Sequence, residues 1–124
     1  MLINGLFTIF YLRGKILVES MIIVIVTTNS EHEAQEIINT LLRKRVIACG
    51  NIIGPISSSF WWKDNIEQSE EFLLLLKSKM SLYKKLENEV LKLHSYEIPE
   101  IVVLPIVEGS KKYLDWIATS INPT

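Results

Sequence analysis

The run Met21-Ile-Ile-Val-Ile-Val-Thr27 constrains the fold more than any other part of the chain. It is rich in β-branched residues, apolar at every position from Ile22 to Val26, and too short for a buried helix. It therefore reads as a strand with both faces covered. Phe72-Leu-Leu-Leu-Leu76 and Ile101-Val-Val-Leu-Pro-Ile-Val107 repeat the signal. In the last run Pro105 has no N–H to give to a ladder, which places it at a sheet edge or near the strand end.

Helical patterns separate these runs. Ser30-Glu31-His32-Glu33 has capping-box spacing, and Ala34, Ile37, Ile38, Leu41 and Leu42 then share one face as far as the cationic Arg43-Lys44-Arg45. Val46 to Trp62 reads as extended chain, with Gly50 and Gly54-Pro55 acceptable at a bulge or an edge. Lys63-Asp64-Asn65 supplies a turn, and the chain returns from Ile66 through a polar stretch to the buried Phe72–Leu76 run. Ser81 then caps a second helix along Leu82, Leu86, Val90 and Leu93, which ends near His94 ahead of Pro99. A last helix follows Gly109-Ser110, with Tyr113, Leu114, Ile117 and Ile121 on its apolar side and Asn122-Pro123 closing it.

The order strand, helix, strand, strand, helix, strand predicts an α+β, ferredoxin-like βαββαβ sandwich over residues 21–121, with one extra C-terminal helix. The second and third strands form a long hairpin, with arms from about Asn51 to Trp62 and from Ile66 to Lys77. Residues 1–20 are read as an N-terminal extension outside the fold and 122–124 as a tail. Leu2 to Leu12 is apolar, but no basic residue precedes it, Arg13 and Lys15 follow it, and eleven residues do not span a bilayer as a helix. Helices on one face leave the other face of the sheet bare, yet the strands are apolar on both sides. Self-association is the expected cover, and the hairpin, which outreaches the core, is the expected assembly device.

Thirteen Lys and Arg against fourteen Asp and Glu give a formal charge of −1, so no global field draws the chain to nucleic acid or to a membrane surface. One cysteine, Cys49, excludes an internal disulfide and any CxxC site, which fits a reducing, cytoplasmic setting.

Several motifs, in order, carry a family resemblance: Ala48-Cys49-x-Asn51-Ile52, Trp61-Trp62, Glu71-x-x-Leu74-x-x-Lys77, His94-x-Tyr96-Glu97-x-Pro99 and Gly109-x-x-x-Tyr113-x-x-Trp116. From Met21 to Ile121 the chain resembles the CutA divalent-cation-tolerance proteins. The resemblance implies a tight homotrimer, similar in build to PII signalling proteins, with a link to copper and other divalent ions. The tip Lys63-Asp64-Asn65 departs from the glycine usual in the family, and Phe60 stands where a tyrosine is common.

The candidate metal ligands are His94, Glu97 and Cys49: imidazole and carboxylate suit divalent ions, and a thiolate adds a soft donor for copper. The alternatives stand beside them. His94 also suits the end of the second helix, Tyr96 and Glu97 the turn before Pro99, and Cys49 a small buried position. Lys77 suits either an anion or carboxylate such as Glu71 in a cleft between subunits, or a solvated strand end. An enzyme is not expected, and no cofactor is required. Ser57-Ser58-Ser59 lacks a nucleophile elbow, only His32 and His94 are available as a base, and no loop is built to cradle phosphate. A PII-like scaffold that binds a small ligand or protein in its clefts is the competing reading.

Overall fold

Met21–Thr28 forms the central strand β4, whose alternate residues Ile22, Val24 and Val26 are fully buried. The computed structural model describes residues 20–121 and the backbone of three short strands before them, β1 (Leu2–Ile3), β2 (Ile9–Leu12) and β3 (Lys15–Leu17). Those three pair antiparallel in a sheet of their own. The rest of the N-terminal extension, and the tail expected at 122–124, lie outside the described residues.

Helix α1 (Glu31–Arg43) starts as the capping box requires, with Ser30 Oγ accepting from the Glu33 N–H at 3.1 Å. It ends in a Schellman arrangement. Arg45 turns left-handed at φ 58, its N–H reaches Leu42 O, and the Val46 N–H reaches Leu41 O at 2.9 Å. Strand β5 (Cys49–Trp62) and strand β6 (Asn65–Lys79) then form the hairpin. A 3₁₀ turn, Met80–Leu82, leads into α2 (Tyr83–Leu93), so this helix enters through a tighter turn instead of on a Ser81 cap. Strand β7 (Ile101–Pro105) stops two residues earlier than expected, at the proline. Helix α3 (Lys111–Ser120) is capped by Ser110.

The four-stranded sheet has the order β5-β6-β4-β7 and is antiparallel throughout, the ferredoxin-like arrangement. Its first face packs on α1 and α2 through Ile22, Val24, Val26, Leu74 and Leu76 against Ala34, Ile37, Ile38, Leu41, Leu86 and Val90. Pro105 sits on an edge strand, as its missing donor demands. Helix α3 packs Ile117 and Ile121 with Ala48, Leu82, Met21 and Ile106, where β4 begins.

The second face is left uncovered by the described residues. The register lines up Cys49, Lys77, Ile23 and Leu104 in one row and Asn51, Leu75, Ile25 and Val102 in the next. Val102 and Leu104 are 45% and 47% exposed.

Beyond the pair Thr28–Phe72 the hairpin leaves the sheet. From Ile56–Glu71 to Trp62–Asn65 it runs as two strands alone, a projection of roughly 20 Å. A bulge at Gly54-Pro55 marks the departure, one of the two placements those residues allow. The turn itself closes on two residues, Lys63 and Asp64, at φ 49 and 67, while Asn65 belongs to the strand. Those angles make it a type I′ turn, which matches the twist of the arms without the usual glycine. Neither tryptophan is in the core: Trp61 is 71% exposed beside its partner Ile66, and Trp62 is half-buried with Lys63 Nζ over its ring.

Candidate functional site

The loop between α2 and β7 is built on His94, whose side chain is wholly buried. Its Nε2–H donates to Thr27 O at 2.7 Å, and its Nδ1 accepts the Tyr96 N–H at 3.1 Å. Glu33 of α1 steadies the same loop, with one carboxylate oxygen accepting the Ser95 N–H at 3.0 Å and lying 3.3 Å from Nδ1. Both ring nitrogens are thus committed to the chain. A metal ion reaches His94 only after one of these bonds breaks.

The loop carries Tyr96 over the sheet, where its hydroxyl donates to Glu71 Oε2 at 2.6 Å. Burial, then the Glu71 carboxylate that accepts its hydrogen bond, pushes the Tyr96 hydroxyl well above its ordinary range, so it stays a donor. Glu71 is itself only 6% exposed.

Between this loop and the projecting hairpin lies an open bay of about 1070 Å³. Its walls include Phe60, Trp61, Trp62, Tyr96, Ile98 and Pro99, and its polar lining includes Asn29, Ser58 and Ser69. Four carboxylates line it, Glu67, Glu71, Glu97 and Glu100, and among the described residues no Lys, Arg or His does. Such a lining favours cations and repels phosphates.

Of the predicted ligands, only Glu97 lines the bay. His94 is buried behind it. Cys49 is half-exposed at the far end of the sheet, level with Ile23, with its Sγ 3.7 Å from the Tyr113 hydroxyl of α3. Burial and this thiol raise the Tyr113 hydroxyl above its usual value. The three do not converge within one chain, and no group of three or more metal-binding side chains is found among the described residues. Within one chain Lys77 bonds Asn51 Oδ1 and stands six residues from Glu71 along β6. Ser57–Ser59 lie on the hairpin and His32 in the exposed first turn of α1, with no shared geometry.

Glu67 and Glu100 join the bay without having stood out in the sequence. A signal for Glu67 was present, since Glu67, Ser69 and Glu71 alternate along β6 and so share a face. Only the fold brings Glu100 across to them.

A family model described as CutA1 divalent ion tolerance protein matches residues 22–120. The divalent-cation tolerance protein CutA of Thermus thermophilus is 40% identical over 95 residues, 77% of this chain and 92% of that one. A solved structure of the Thermus thermophilus protein superposes with a TM-score of 0.80 at 37% identity, over 82% of this chain and 99% of that one. The same TM-score, identity and coverage hold for a structure from Archaeoglobus fulgidus, described as a periplasmic divalent cation tolerance protein.

Proposed function

This chain belongs to the CutA1 divalent ion tolerance family, and from that premise we propose that it works as a homotrimer that responds to divalent cations by binding them, Cu(II) among them, without a catalytic step. The observation that carries the assembly is the uncovered second face of the sheet. Ile23, Ile25, Leu75, Val102 and Leu104 are contiguous across three strands, and covering such a face is favourable by roughly 25 cal/mol per Å². The projecting hairpin adds to the demand, because two strands alone are marginal in water and its tip carries the exposed pair Trp61–Ile66.

Assembly also gives the metal chemistry a place. Cys49 and Glu97 stand at opposite ends of the sheet, so a thiolate and a carboxylate meet on one ion only at a contact between copies. His94 joins them only if its loop lets go of Thr27 or Tyr96. The acidic bay favours this cation reading over a scaffold that binds nucleotide-like anions.

The single unpaired cysteine supports a reducing, cytoplasmic setting, unlike the periplasmic description of the Archaeoglobus fulgidus protein. No helix among the described residues is long and apolar enough to cross a membrane.

Calorimetric titration of the full chain with Cu(II) tests the proposal. Saturable binding that weakens at least tenfold in both Cys49→Ala and Glu97→Gln is expected. Binding that needs millimolar copper, or that ignores both substitutions, contradicts it.

A further inference from the structure

We propose that Lys77 of one copy docks into the acidic bay of the next copy, so that each contact in the ring pairs one cation with one bay. This rests on the assembly reading above and adds the contact that sets its register.

Two opposite deficits lie on one side of the sheet. Among the strands of the four-stranded sheet the cations are Lys77 and Lys79, and Lys79 is buried. Lys77 stands in the apolar row with Cys49, Ile23 and Leu104, and its ammonium donates to the neutral amide oxygen of Asn51. Once a neighbour covers this face, that charge loses water and has no anion in its own row. An unpaired buried ammonium is costly, so the covering surface must supply a carboxylate.

The bay has the reverse deficit, with four carboxylates and no cation among the described residues that line it. Of these, Glu71 is partnered by Tyr96, which leaves Glu67, Glu97 and Glu100 to receive a charge.

One chain cannot join its own two patches. Lys77 and Glu71 are six residues apart on the same strand, roughly 20 Å of extended chain. Distinct, complementary patches on each copy are what a heterologous, ring-closing contact uses, and a closed ring leaves neither unsatisfied. The rim of the bay is apolar at Phe60, Trp62 and Ile98, which suits the methylene stem of a lysine below its charged head.

Charge exchange in the full chain tests this, read by sedimentation equilibrium over a concentration series, with circular dichroism confirming the fold of each variant. Lys77→Glu and Glu97→Lys, made singly, are each expected to weaken assembly at least tenfold. Combined in one chain they are expected to recover most of the loss, because every contact again pairs opposite charges. Assembly of Lys77→Glu as tight as the parent overturns the proposal, as does a double variant no better than the worse single one. A parent chain that is itself monomeric overturns the assembly reading instead, so the two failures are distinguishable. If Lys77→Glu does not fold, Lys77→Gln replaces it, with a weaker loss that grows when Glu67→Gln is added counting against the pairing.

Discussion

The Tyr96 hydroxyl donates to Glu71 Oε2 at 2.6 Å, tying the loop after α2 to a carboxylate buried in β6. Removing the donor leaves a desolvated carboxylate oxygen without its partner. Tyr96→Phe is therefore expected to cost about 1–3 kcal/mol in urea unfolding. Glu71→Gln, whose amide oxygen still accepts, should cost less. Equal losses in the two variants would contradict this account of the pair.

Gly50 lies under α1. A Cβ there would stand 2.8 Å and 2.9 Å from Cγ1 and Cδ1 of Ile38, with side-chain atoms as the obstacle. Gly50→Ala should destabilise by about 1–3 kcal/mol through overpacking. In an Ile38→Ala background the same change should cost under about 0.5 kcal/mol, a coupling that a double-mutant cycle measures.

At the hairpin tip Lys63 and Asp64 both hold positive φ, a conformation that disfavours side chains. Asp64→Gly should relieve this and stabilise by about 0.5–1 kcal/mol, read as a raised thermal midpoint. An unchanged or lowered midpoint would show that the turn carries no strain worth relieving.

Glu89 sits between Lys44 at 3.1 Å and Lys92 at 3.5 Å. The hydrogen bond from Lys44 is the main reason its carboxyl is held below the usual carboxylate range, with the charge of both lysines adding to it. The unfolded chain then takes up this proton more readily than the folded one. The stability contributed is present above the ordinary carboxylate value and is lost as pH falls through the lower folded value. Glu89→Gln should melt below the parent at pH 7, and the gap should close through that acid window. A gap independent of pH would contradict the ion pair as its source.

The fold was legible because local signals agreed with one another. The Met21–Thr27 run, the Ser30 cap and the Pro105 stop each placed an element to within a few residues. The two-residue turn was harder, since Lys63-Asp64 carries no glycine to announce a left-handed pair. The bay was legible only in part. Glu97 stood out beside His94 and Tyr96, but no local pattern tells that His94 spends both nitrogens on Thr27 O and the Tyr96 N–H. Nor does spacing reveal that Cys49 lies at the far end of the sheet, a fact set by strand register across β5, β6 and β4.

The central claim is that the bare second face is covered by copies of the same chain. Sedimentation equilibrium at micromolar concentration tests it most directly. The account predicts about three times the 14.3 kDa chain mass for the parent, and a shift toward single chains in Val102→Glu with Leu104→Glu, which places charge on that face. A parent sedimenting as a single 14.3 kDa chain would contradict it.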